Sequence, residues 1–143
     1  MSSESINQSV LSGSVDKAES LFRVIKRSKP DYITKSGKIS PALFKDNDGV
    51  SVDRDGGRPE KEIIRFIVDI SFPGRAKAIV SFSAELCFSI GAKVIPKPTD
   101  TNPFHAIILM DSEERKRNLQ ALIMSDNCRI IYSNPNVEWL RLK

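Results

Sequence analysis

One histidine, two cysteines, one tryptophan and two tyrosines in 143 residues leave the chain little of the side-chain chemistry from which metal sites and catalytic centres are built. His105 has no second imidazole to share an ion, and Cys87 and Cys128 stand 41 positions apart, far from the close spacing of zinc-ligand pairs. No metal and no cofactor are expected. The apolar runs are short, Ala106 to Met110 among the longest, against the roughly 20 residues that cross a bilayer. No membrane association is expected. The opening "MSSESINQSVLSGSVDK" lacks the basic stretch, apolar core and cleavage site of a secretory signal. With the two cysteines read as free thiols and Cys87 as a small buried hydrophobe, this predicts a cytoplasmic protein.

What is present describes a globular domain. Hydrophobic residues make up 40% and charged residues 28% of the chain, and this length matches one core. Residues 1–13, rich in serine and poor in large apolar groups, are expected to form a mobile tail ahead of a single domain over 14–143. The formal charge of +4 is mildly basic. It is concentrated between residues 23 and 38, where Arg23, Lys26, Arg27, Lys29, Lys35 and Lys38 face one acid, Asp31. Lys26, Arg27, Lys29, Lys35 and Lys38 are therefore candidate nucleic-acid contacts, with Phe22 and Tyr32 as stacking partners, although no aromatic pair has the spacing of a known RNA-binding sheet.

The periodicities predict the elements. Ser14 is placed to cap a short helix, "LFRVIKR" alternates as a strand, and Lys29-Pro30 ends it. Asp48-Gly49 and Asp55-Gly56 bracket the strand "VSVDR", an arrangement read as a hairpin-like excursion. Ile63, Phe66, Ile67 and Ile70 fall at helical spacing behind Pro59, and Pro73-Gly74 stops that helix. "AKAIVSF" reads as a strand, Ser83 caps a helix closed by Gly91, "AKVIPKP" is extended, and "FHAIILM" is a buried strand. Asp111 and Glu114 form a D-x-x-E start for a helix whose apolar face is Leu119, Leu122 and Ile123, before a last strand in "CRIIY". The expected fold class is α+β, or α/β, with about five strands and two or three helices.

The motifs that point to chemistry are incomplete. "DNDGVSVDRDGG" resembles a calcium loop, but counted from Asp46 it places Val50, Ser51 and Gly57 where an oxygen ligand, a glycine and a glutamate are required. Turn chemistry explains its Asp and Gly residues. "KSGKIS" and "RDGGRP" lack the spacing of a phosphate-binding loop, yet Arg54 and Arg58 flank Gly56 and Gly57 ahead of a helix and are candidate anion contacts. The cations of "ERKR", residues 114–117, point around a helix and form no single stripe. His105 lacks an evident nucleophile or triad setting.

Three blocks, "LFRVI" at 21–25, "KISPALFKDNDGVSVDR" at 38–54 and "GAKVIPKPTDTNPFHAIIL" at 91–109, resemble a group of small uncharacterised bacterial proteins. Its pattern is Phe-Arg, Ser-x-x-x-Phe leading to Gly-x-Ser-Val, and Asn-Pro-x-His-Ala. The likeness spans about residues 21–132. It implies no activity, but it picks out Arg23, Ser51 and His105, one per block, a spacing that suits a composite pocket and equally three structural residues. The leading expectation is a non-enzymatic binding or accessory protein acting through a protein partner. The alternatives are a nucleotide- or phosphorylated-ligand enzyme or sensor using Arg23, Ser51 and His105, and a nucleic-acid-binding module using the basic segment.

Overall fold

A computed structural model describes residues 13–26, 38–46 and 48–134. Residues 1–12 of the proposed tail and part of the basic segment, including Arg27, Lys29 and Lys35, lie outside these ranges. The strands are β1 (Ser20–Lys26), β2 (Val50–Arg54), β3 (Ala76–Ser83), β4 (Lys93–Pro96), β5 (His105–Leu109) and β6 (Arg129–Ser133). They form one sheet in the order β4-β5-β2-β1-β3-β6, with every neighbouring pair antiparallel. The fold is α+β with six strands among the described residues, so the expected count of about five is corrected. The extended segment "AKVIPKP" supplies the additional edge strand, β4. The helices among the described residues are α1 (Glu60–Arg65), continued by a π-helical segment over Phe66–Ser71, α2 (Ala84–Ser89) and α3 (Glu114–Asn127). None is long and apolar enough to cross a membrane.

The alternation of side chains along the strands divides the core in two. Leu21, Ile25, Val50, Val52, Val80 and Ile108 join one large apolar cluster, covered by α2, α3 and a 3-10 turn at Pro41–Phe44. The edge of one ring meets the face of the other where Phe44 packs on Phe82 at 5.5 Å. On the opposite face Phe22 and Ile79 pack against Ile63 and Ile67 of the α1 region. Cys87 is buried in the large cluster. Burial pushes its thiol up to about 12 and that of Cys128 to about 11, so neither supplies thiolate at neutral pH.

Several local expectations change in the fold. No helix follows Ser14. Ala18 N–H bonds to the Asp16 carboxylate and Glu19 N–H to the Asp16 carbonyl, a tight turn that delivers the chain into β1. "VSVDR" is not a local hairpin, because β2 lies inside the sheet between β1 and β5. Val50 and Val52, both buried, find their cover there. Gly49 and Gly56 adopt φ of +111° and +59°, the left-handed geometry these turns require.

The α1 stripe buries Ile63 and Ile67, but Ile70 is 63% exposed. The wider π turn, shown by the Phe72 N–H to Ile67 O bond at 2.9 Å, rotates it away from the helical register. α3 begins at Glu114 with Glu113 at its cap position, while the Asp111 carboxylate accepts from Glu113 N–H. It buries Gln120, Ala121, Met124 and Ser125, leaving Leu119 and Leu122 exposed. Gln120 fixes that rotation by accepting from Asp111 N–H at 2.7 Å and donating to Ile90 O at 3.0 Å.

One ion pair lies wholly inside. Arg54, with no exposed surface, donates through Nε and Nη2 to both carboxylate oxygens of Glu19 at 2.8 Å, and through Nη1 to Gly13 O at 3.1 Å. Neutralising one partner strands the other charge in the core, which costs about 3 to 5 kcal/mol. Glu19→Gln is expected to lower unfolding free energy by roughly that amount, read from urea denaturation.

Candidate functional site

The face of the sheet opposite the large core is only partly covered, and β2 sets what it presents. With Val50, Val52 and Arg54 turned into the large core, Ser51 and Asp53 point the other way. Asp53 lies opposite Phe22 of β1 and opposite His105 of β5, which places the carboxylate and the imidazole side by side. β1 and β2 pair only at Leu21↔Arg54 and Phe22↔Asp53. Beyond that point they part, and a cleft of about 500 Å³ opens there. Phe22, Val24, Ile67, Ile70 and Phe72 form its apolar wall, and Ser51, Asp53, Asn102 and His105 its polar floor. The π-helical segment supplies Ile67 and Ile70, and single π turns of this kind recur at functional sites.

The turn ahead of β5 orients both partners of Asp53. Asn102 receives Phe104 N–H on its Oδ1 at 3.0 Å, which turns its Nδ2 to donate to Asp53 Oδ1 at 3.1 Å. His105 Nδ1 lies 2.9 Å from Lys97 O. A carbonyl only accepts, so Nδ1 carries a proton and the neutral ring presents Nε2 as an acceptor. Asp53 is 6% exposed, and its second oxygen, Oδ2, is buried without a hydrogen-bond partner among the described residues. Burial raises the Asp53 pKa above the ordinary 3.8, a rise opposed first by the Asn102 hydrogen bond and then by the Arg58 charge.

The structure places those residues singled out from the sequence that fall within the described ranges. Arg23, Ser51 and His105 border the same cleft. The guanidinium of Arg23, however, donates to Leu43 O at 3.2 Å, Ser51 O at 2.9 Å and Asp46 Oδ2 at 3.0 Å, tying the parted strands to the 3-10 turn. Arg54 is held by Glu19. Arg58 lies 3.3 Å over the Phe104 ring and 5.3 Å from that of Phe66, and donates to Asp55 O and Arg54 O. All three guanidinium groups are thus engaged within the fold. Of the basic segment, Lys26 reaches the cleft with Nζ 4.8 Å from the Phe72 ring, whereas Lys38 borders a separate hollow with Ser125 and Asp126. Among the described residues no cluster of three or more His, Cys, Asp or Glu could hold a metal ion.

Asp53 and Asn102 were absent from the sequence-derived set. The signal for Asp53 was the alternation itself, since a strand that buries Val50 and Val52 must pair Ser51 with Asp53 on its other face. Asn102 carried only the signature of a turn before proline.

The buried carboxylate has a consequence for stability. An acid whose pKa is raised on folding binds more protons in the native than in the unfolded state, so its contribution to stability falls as pH rises from 3.8 through the raised native value. Asp53→Asn keeps an acceptor for Asn102 and removes the charge. It is expected to raise the melting temperature at pH 7, with the gap from the unaltered protein closing as pH falls to about 4, read from thermal melts followed by circular dichroism. Comparisons of the chain with protein families, curated proteins and solved structures find no match.

Proposed function

We propose that the protein is a non-enzymatic binding protein that holds a small organic ligand in the cleft between β1 and β2. The observation that carries this reading is Asp53, a buried carboxylate with one oxygen bonded by Asn102 and the other without a partner, on the floor of a cleft walled by apolar side chains. Leaving a buried acceptor unsatisfied costs about 1 to 3 kcal/mol, and stability is surrendered in this way where a ligand completes the bonding. An apolar pocket with a few convergent polar groups is the usual form of a small-molecule site.

The reading that uses Arg23, Ser51 and His105 for a phosphorylated ligand has less support, because the Arg23 guanidinium already meets three protein acceptors. Action through a protein partner retains a specific observation of its own, the exposed Leu119 and Leu122 on α3. Both side chains lie on the helix surface away from the buried stripe.

The two surfaces are separable by nuclear magnetic resonance. In a screen of the ¹⁵N-labelled full chain against a library of small polar and aromatic compounds, binders are expected to shift the amides of Ser51, Asp53, Ile70 and His105. The α3 amides should stay fixed. A library that leaves the cleft amides unmoved overturns the proposal.

A further inference from the structure

We infer that the cleft selects a small nitrogenous ligand, an amine or amidine attached to an apolar or aromatic body, whose N–H groups are directed at the Asp53 carboxylate and at His105 Nε2. This rests on the cleft being a binding site and adds what it takes.

The Asn102 amide is fully oriented, its oxygen on Phe104 N–H and its nitrogen on Asp53 Oδ1, so it has no second role toward Asp53 Oδ2. His105 Nδ1–H is held by Lys97 O, which leaves an acceptor on the other side of the neutral ring. The floor therefore offers two adjacent acceptors on strands paired at Asp53↔His105. A ligand carboxylate or phosphate would set acceptor against acceptor and bring a second negative charge beside Asp53. The cations near enough to offset such a charge are engaged, Arg23, Arg54 and Arg58 by backbone carbonyls, carboxylates and rings, and Lys26 by the Phe72 ring. An ammonium or amidinium supplies donors and compensates the carboxylate in one step.

The wall fits the remainder of such a ligand. Ile70 stands 63% exposed at the cleft, surface that an apolar body would cover. The Phe72 ring already carries Lys26 Nζ at 4.8 Å and the Arg75 guanidinium at 5.9 Å, so the charged end of the ligand belongs at Asp53 and its apolar body against Ile70.

The test uses the full chain and four probes of similar size, benzamidine and phenethylamine as cations, benzoate and phenyl phosphate as anions. Affinity is read by calorimetry and location by amide shifts. The cations are expected to bind with shifts at Asp53, Ile70 and His105, and Asp53→Asn is expected to weaken them at least tenfold. Asp69→Asn, which neutralises an exposed carboxylate on the π segment, should leave affinity unchanged. Cation binding that survives Asp53→Asn, or a loss no greater than with Asp69→Asn, overturns the inference. Preference for benzoate or phenyl phosphate at the same amides overturns the ligand class while leaving the cleft a binding site. Silence of the cleft amides toward all four probes overturns both.

Discussion

The strict side-to-side alternation of β2 is the constraint on which the rest of the molecule depends. Val50 and Val52 are buried in the large core, and that choice fixes every other side chain of the strand. Arg54 is carried into the interior and Asp53 onto the opposite face. Placing β2 between β1 and β5 then brings Phe22 and His105 to either side of Asp53. A slip of one residue in either ladder would exchange the two charged residues between core and cleft.

Two adjacent charges are thus treated in opposite ways. Arg54 is met by both oxygens of Glu19 and by Gly13 O, and its desolvation is compensated by a fork of charge-assisted bonds. Asp53 receives one hydrogen bond and the more distant influence of Arg58 and His105. Arg58 in turn is stacked on Phe104, joining the approach to α1 to the start of β5. The pairing that stabilises the fold and the incomplete pairing that suits a ligand therefore occupy consecutive positions of one strand.

Much of the secondary structure was legible because its signals are local. Ser83 caps α2 through Leu86 N–H, and Gly91 ends the turn after it at φ +83°. The strand segments follow their β-branched runs. What could not be read depended on partners distant in sequence. Glu19 was assigned to a helix because nothing near it announces Arg54, 35 residues on. Leu119 and Leu122 satisfied a helical stripe, yet two hydrogen bonds of Gln120 decide which side of α3 faces inward. At the cleft, His105 and Ser51 are picked out by motif, while Asp53, on a strand within a turn-rich stretch, gains its neighbours only when β5 is laid beside it. Arg23 was located at the cleft, but the use of its guanidinium depends on Leu43, Ser51 and Asp46.

The early parting of β1 from β2 leaves the cleft lined by consecutive residues of both strands, Phe22, Arg23 and Val24 on one side and Ser51, Val52 and Asp53 on the other. Since Arg23 and Val52 direct their side chains elsewhere, they contribute main chain to that lining. The opening is consequently a feature of the backbone, kept in shape by the Arg23 fork. Substitutions at Ser51, Ile70 or Phe72 change what the cleft presents and leave that backbone opening in place.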